Sequence, residues 1–217
     1  EVLKHIPAHW RLLRKLRARL ATGNVGLVVC IDYPGFNMRV ASAAAALGIP
    51  VLYYITPQVW AWRAGRLRTM AKVITKAAVI LPFEEALLRS AGIDATFVGH
   101  PLLDRAQALP EKALARERLG LPSEGEVLAL FPGSRAQEIH RHLADFLAVA
   151  RALEARRPGL RTVLSVAPTI ALRDDEVPVP LVRSASFDVL RAADVALCKS
   201  GTTTLEAAVA GTPCAIV

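Results

Sequence analysis

In the run LALFPGSRAQEI, residues 128–139, an apolar segment leads into Pro132, Gly133, Ser134 and Arg135 and then into a helix-forming stretch. Gly133 lets the backbone turn and approach a ligand, the first N–H groups of a helix lack intrahelical partners, and an Arg135 guanidinium forks onto paired phosphate oxygens. The same letters also describe an ordinary strand-to-helix turn with Ser134 as its N-cap. A second run, CKSGTTTLEAAVAGTP at 198–213, repeats the arrangement. Ser200, Gly201, Thr202 and Thr203 stand where a helix opens and can donate to a diphosphate, while Glu206, one turn in, can accept two ribose hydroxyls. Thr203 and Glu206 also have capping-box spacing, in which Glu206 only closes the helix. Both runs fall at the carboxyl ends of apolar strands, where open parallel sheets bind ligands, and this weighs toward binding.

In VVCIDYPGFNMRVA, Asp32 ends an apolar strand immediately before a Pro-Gly turn, where a carboxylate is available as a base but equally as a cap or turn residue. Downstream, YYITPQVWAWRAGR sets Tyr53, Tyr54, Trp60 and Trp62 beside Arg63 and Arg66, a combination that grips sugars, acyl chains or headgroups, or simply packs as a loop. His100 stands alone beside Pro101, and no metal-ligand spacing is visible. Cys30, Cys198 and Cys214 lie in apolar runs without a CxxC pair, as expected for reduced, buried thiols.

These residues need elements to position them. Apolar runs at 25–31, 51–55, 77–81 and 95–98 alternate with helical stretches at 36–47, 63–75 and from Pro82. A strandless segment, HPLLDRAQALPEKALARERLGLP, follows. The rhythm then restarts: strands at 126–131, 161–166, 179–183, 194–198 and 214–217, helices at 136–156, 186–192 and 202–210. Uncharged strands bounded by Gly or Pro predict parallel sheets covered on both faces. The expected fold is α/β with two Rossmann-like domains, 1–104 and 105–217. The opening helix places Ile6, Trp10, Leu13, Leu16 and Leu20 on one stripe and Arg11, Lys15 and Arg19 opposite, which suits packing on a sheet and also an anionic membrane surface.

At 217 residues and 53% hydrophobic, with 6% aromatic residues, the composition favours helices and buried parallel strands. The net charge of +8 admits phosphates, nucleic acid or anionic lipid as partners. Basic residues spread over several helices, without aromatics on a sheet face, argue against nucleic acid. No apolar run approaches the roughly 20 residues that span a bilayer, and a cytoplasmic protein is expected. Starting at Glu1 and stopping at Val217 inside an apolar run, the chain reads as truncated at both ends.

Taken in order, IDYPGFN, YYITPQVWAWRAGR, ILPFEE, FVGHPLLD, LFPGSRAQEI and KSGTTTLEAAVAGTP resemble the signature segments of lipid-A-disaccharide synthases, across nearly the whole chain. The resemblance implies a GT-B architecture, with the acceptor on the first domain and the nucleotide sugar mainly on the second. It implies condensation of UDP-2,3-diacylglucosamine with 2,3-diacylglucosamine 1-phosphate, with inversion, release of UDP, and no metal or cofactor. Gly133, Ser134, Arg135, Glu138, Ser200, Gly201, Thr202, Thr203 and Glu206 would then bind the nucleotide, and Asp32 would be the base. Phe36, Asn37, Trp60, Trp62 and Arg63 would face the acceptor lipid. Peripheral attachment to the inner membrane is implied, and a homodimer of the full-length protein is compatible with it. Many relatives carry an acid where this chain has Gly35, and their crossover at APTIALRDDEVPVP is usually longer; their opening GExSGD segment and C-terminal helices have no counterpart here. The alternatives are another GT-B transferase or epimerase using UDP-N-acetylglucosamine, which would lack the WAW segment, and a nucleotide- or nucleic-acid-binding module.

Overall fold

Two parallel sheets, of four and five strands, carry the apolar runs. The computed structural model describes residues 2–59, 64–183 and 185–217, with side chains from residue 7 onward. It divides into two units, residues 1–101 and 102–217. Trp60, Trp62 and Arg63 lie outside the described residues.

The first unit contains α1 (Val2–Leu20), β1 (Val28–Ile31), α2 (Pro34–Ala45), β2 (Val51–Tyr54), a 3-10 turn at Ala64–Arg66 running into α3 (Leu67–Val73), β3 (Lys76–Val79), α4 (Pro82–Ser90) and β4 (Ala95–Phe97). Strand order follows chain order, β1-β2-β3-β4. In register, Cys30 faces Tyr53, Tyr53 faces Ala77 and Ala77 faces Ala95, so a single buried row crosses the sheet. Right-handed crossovers between strands added in one direction all lie on one face. Ala41 and Ala44 of α2, Met70 of α3 and Leu88 of α4 accordingly pack on that row. The opposite face is open among the described residues: Val29 is 53% and Ile31 58% exposed. The strand order sends every described crossover to the same side, so that is the covered face of this sheet among the described residues.

The opening helix also differs from its expected stripe. Leu13 and Leu20 are buried and α1 packs on α2, but Trp10 is exposed, with the Arg39 guanidinium 5.5 Å from its ring.

The second unit opens with two short helices in the strandless segment, α5 (Pro101–Ala106) and α6 (Lys112–Arg118). Then come β5 (Val127–Phe131), α7 (Ala136–Arg156), β6 (Arg161–Val166), β7 (Leu181–Arg183), α8 (Ser186–Ala192), β8 (Val195–Cys198), α9 (Thr202–Ala210) and β9 (Cys214–Ile216). The order is β7-β6-β5-β8-β9. Here both faces are covered, and alternation along β5 is direct: Val127, Ala129 and Phe131 enter one core with Leu190 and Ala207, while Leu128 and Leu130 enter another with Phe146 and Leu164. Between β6 and β7 the crossover has no α-helix, only a 3-10 turn at Asp174–Glu176. Cys30 and Cys198 are buried free thiols, and Cys214 is half-buried and free. Burial raises the Cys30 pKa and, with Cys214 beside it, pushes Cys198 up to about 12, leaving both unreactive at neutral pH.

Candidate functional site

In the second unit the chain leaves β5 toward β6 and β7, then returns to the other side of β5 for β8 and β9. The carboxyl ends of β5 and β8 thus flank a topological switch point, the place where open α/β sheets take ligands. Residues 132–135 leave β5 there and residues 199–201 leave β8. Ser134, Gly133, Thr202, Thr203 and Glu206 line one cavity of about 340 Å³ with Phe131 as part of its apolar wall. Two segments of chain about 70 residues apart are brought together by β5–β8 pairing, in which Phe131 lies opposite Cys198.

The second loop is the open one. Gly201 is the N-cap of α9 and no side chain caps the helix. Glu206 consequently lies beyond the first three helical residues and does not close a capping box with Thr203; it faces the cavity instead. The Thr202 and Thr203 N–H groups, at the positive end of α9, have no partner among the described residues. Ser200 uses its own N–H to continue the sheet toward Val217.

The first loop is already filled. Glu138 Oε2 accepts the N–H of Ser134 at 2.9 Å and of Arg135 at 3.2 Å. Its Oε1 accepts from Lys199 Nζ at 3.0 Å and Arg135 Nη1 at 3.2 Å. The Ser134 N–H, just before the N-cap of α7, and the Arg135 N–H, at it, are thus satisfied by a residue of the same helix and are not free. The Lys199 hydrogen bond leads the effects that hold the Glu138 pKa at about 2, with the two backbone donors assisting against the cost of burial. Gly133, at φ 132°, is required by this arrangement, since a Cβ there would lie 2.5 Å from Glu138 Cβ. The Arg135 side chain is 79% exposed, pairs with Glu138 and does not itself line the cavity.

In the first unit, Asp32, Pro34, Ile55, Thr56, Gln58 and Arg66 line a cavity of about 380 Å³ at the ends of β1 and β2. Among the described residues the only non-glycine positions with positive φ are Asp32 (45°), Tyr33 (45°) and Ile55 (57°), and two of them line this cavity. For a β-branched residue such as Ile55 this conformation is strained, at a cost of order 1–3 kcal/mol, and such strain gathers at functional sites. Tyr53 Oη donates to the Asp32 carbonyl at 2.9 Å, and Asn37 Nδ2 donates to the carbonyls of Ile31 and Asp32 at 2.9 and 2.8 Å. Asn37 thus braces the turn from below. Phe36 is half-buried beside Tyr33 and His9. Tyr33, not Asp32, is the N-cap of α2, and the Asp32 side chain is exposed.

Three residues at these sites escaped sequence reasoning. Lys199 directly follows a buried strand, a signal that was there to be read. Ile55 shows itself only through its backbone angle, and Arg105, on the cavity wall, lies in the segment read as a boundary. Among the described residues no group of three or more His, Cys, Asp or Glu side chains could hold a metal ion, and no helix is long and apolar enough to cross a membrane.

Two Rossmann-like α/β units, one with a ligand-type switch point, define a chain of the GT-B class. Solved structures agree in fold: the UDP-GlcNAc 2-epimerase from Neisseria meningitidis bound to UDP-GlcNAc aligns at TM-score 0.64 and 15% identity, covering 96% of this chain and 63% of that one. The S. aureus MnaA–UDP co-structure aligns at 0.67 and 11% identity, covering 96% and 62%. The family described as lipid-A-disaccharide synthetase matches residues 1–217. The lipid-A-disaccharide synthases of Trichlorobacter lovleyi and Syntrophus aciditrophicus are 40% and 41% identical over 224 and 225 residues, spanning all of this chain and 58% and 59% of those proteins. The chain belongs to the lipid-A-disaccharide synthase family, and it spans about three fifths of the length of these curated relatives.

Proposed function

We propose that the second unit, taken as residues 105–217, binds the nucleotide of a UDP-sugar, and that the first, residues 1–104, receives the acceptor. The observation that carries this reading is the convergence of Ser134, Thr202, Thr203 and Glu206 on one cavity at the switch point. The unpartnered N–H groups at the start of α9 and the exposed Arg135 guanidinium supply donors for a diphosphate, and Glu206 supplies an acceptor for ribose hydroxyls. Glu138 serves this site from behind, with its carboxylate spent on the loop amides.

Family membership supports a reaction in which UDP-2,3-diacylglucosamine condenses with 2,3-diacylglucosamine 1-phosphate. As the glycosidic bond to UDP breaks, negative charge grows on the leaving diphosphate, and the α9 dipole with Arg135 offsets it. The acceptor hydroxyl attacks the anomeric carbon from the opposite face and gives its proton to a base. Asp32 is that base: it is exposed at the end of β1, on a cavity wall, in a strained turn held by Tyr53 and Asn37. Phe36 and the residues at 60, 62 and 63 belong to the acceptor side in this reading. The anionic inner-membrane surface is the third partner, met through the basic first unit.

Calorimetric titration of the chain with UDP, without divalent metal and with AMP as control, tests the nucleotide reading. Selective UDP binding is expected. Arg135→Ala should weaken it by roughly 1.5–3 kcal/mol, the range for a hydrogen bond to a charged group. Equal binding of AMP, or an affinity unmoved by that substitution, removes the assignment.

A further inference from the structure

Lys199 lies in the run 198–213 with no role assigned to it from sequence, yet it joins the two ligand loops. Its backbone N–H donates to the Phe131 carbonyl at 2.9 Å, continuing the β8–β5 pairing by one residue. Its side chain then crosses to Glu138 Oε1 at 3.0 Å. The other carboxylate oxygen holds the N–H groups of Ser134 and Arg135. A single chain of contacts thus runs from the end of β8, through one carboxylate, to the backbone of the loop after β5.

We infer that Lys199 is a positioning residue, which through Glu138 holds the 133–135 loop in the shape that presents Ser134 to the cavity. This inference takes its functional meaning from the nucleotide reading above. Three observations support it. Glu138 is only 15% exposed, so its carboxylate needs a firm cationic partner, and the other cation within reach, Arg135, is 79% exposed and therefore a weak one. Lys199 is 29% exposed and is fixed at its backbone by a strand, so little freedom remains to be lost in forming the pair. Gly133 leaves the space into which Glu138 folds, with no room for a Cβ. The arrangement also divides labour between the loops. The Ser134 and Arg135 amides are held by the protein's own anion, so a diphosphate is met by the start of α9 and by the Arg135 side chain.

The test uses the 217-residue chain as wild type, Lys199→Met, Lys199→Arg, Glu138→Gln and the double variant Lys199→Met/Glu138→Gln. Amide hydrogen exchange of Ser134 and Arg135 is read without ligand, with the β6 amides as a control for folding. Exchange at the two loop amides should accelerate tenfold or more in Lys199→Met and stay near wild type in Lys199→Arg, with β6 unchanged. UDP affinity should fall about tenfold in Lys199→Met, the size of one lost charged hydrogen bond, and recover in Lys199→Arg. In the Glu138→Gln background Lys199→Met should add nothing, since it acts through that carboxylate. Additive losses would mean that Lys199 touches the ligand itself, and would overturn the inference. So would unchanged exchange in Lys199→Met, or faster exchange at unchanged affinity in a chain that binds UDP. A wild-type chain that binds no UDP sinks the nucleotide reading alone, and the exchange rates still decide for or against Lys199.

Discussion

Glu138 is surrounded by four donors, and its chemistry is set by them: Lys199 Nζ, the Ser134 and Arg135 amides, and the Arg135 guanidinium. With its pKa lowered from 4.5 to about 2, chiefly by Lys199, the folded chain holds the proton less tightly than the unfolded chain. A depressed carboxyl pKa stabilises the fold fully above the unfolded value and loses that contribution as pH falls through the folded value. The stability gap between wild type and Glu138→Gln, measured by urea unfolding, should therefore be widest above pH 4.5 and close as pH approaches 2. A gap that is flat across this range would mean that the carboxylate is not what Lys199 and the loop amides hold. This loop is partly legible in the sequence. The PGSR run and its following helix were legible, because Gly, Ser and Arg after an apolar strand have few other uses. That a glutamate three residues into the helix turns back to fill the loop was not, because Glu138 also fits an exposed helical surface. The strain at Tyr33 and Ile55 was likewise hidden, since neither residue type announces a positive φ.

At the scale of elements, α7 spans the predicted 136–156, and α8, α9 and β6 also fall where apolar period and Gly or Pro punctuation placed them. Those signals are local. The helices of the strandless segment were less legible, because what holds α6, besides the buried Ala115, is a buried arginine. Arg116, 4% exposed, donates to the carbonyls of Ala192, Ser123 and Gly125 and to Asp194. Asp194 in turn accepts from Lys112 and the Val127 N–H; burial opposes its ionisation, but these donors outweigh it and its pKa is lowered. This network ties α6 to the amino ends of β5 and β8, away from the ligand loops. Arg116→Met would strand three carbonyls while Asp194 keeps Lys112 and the Val127 N–H, a loss of about 1–3 kcal/mol for a buried acceptor left unsatisfied. Urea unfolding should register that drop, and the UDP affinity of the protein still folded should not change. A drop in affinity at full folding would place Arg116 in communication with the site.

Over the whole molecule, the distribution of charge is the feature that total composition conceals. Residues 1–101 hold thirteen Lys and Arg against five Asp and Glu, whereas residues 102–217 hold fourteen of each, so the entire +8 belongs to the first unit. Six of the thirteen fall in α1, which has no acidic residue. Arg11, Arg14 and Lys15 are exposed there, with Trp10 and Leu12 exposed beside them. Cations interleaved with exposed apolar side chains are what an anionic lipid surface attracts, since each basic residue near such a surface contributes about 1 kcal/mol, and an indole rests well at the headgroup level. The neutral second unit leaves its cavity to short-range chemistry. The chain should therefore sediment with vesicles containing phosphatidylglycerol at low salt and release as salt shortens the reach of the charges. Substituting Arg11, Arg14 and Lys15 together with Gln removes about 3 kcal/mol by that measure, a loss of roughly hundredfold in partitioning. UDP affinity should be untouched by the triple substitution. Equal binding of the variant, or equal binding of neutral phosphatidylcholine vesicles, would show that α1 is not the docking face and that its basic residues serve only the helix and its solvent.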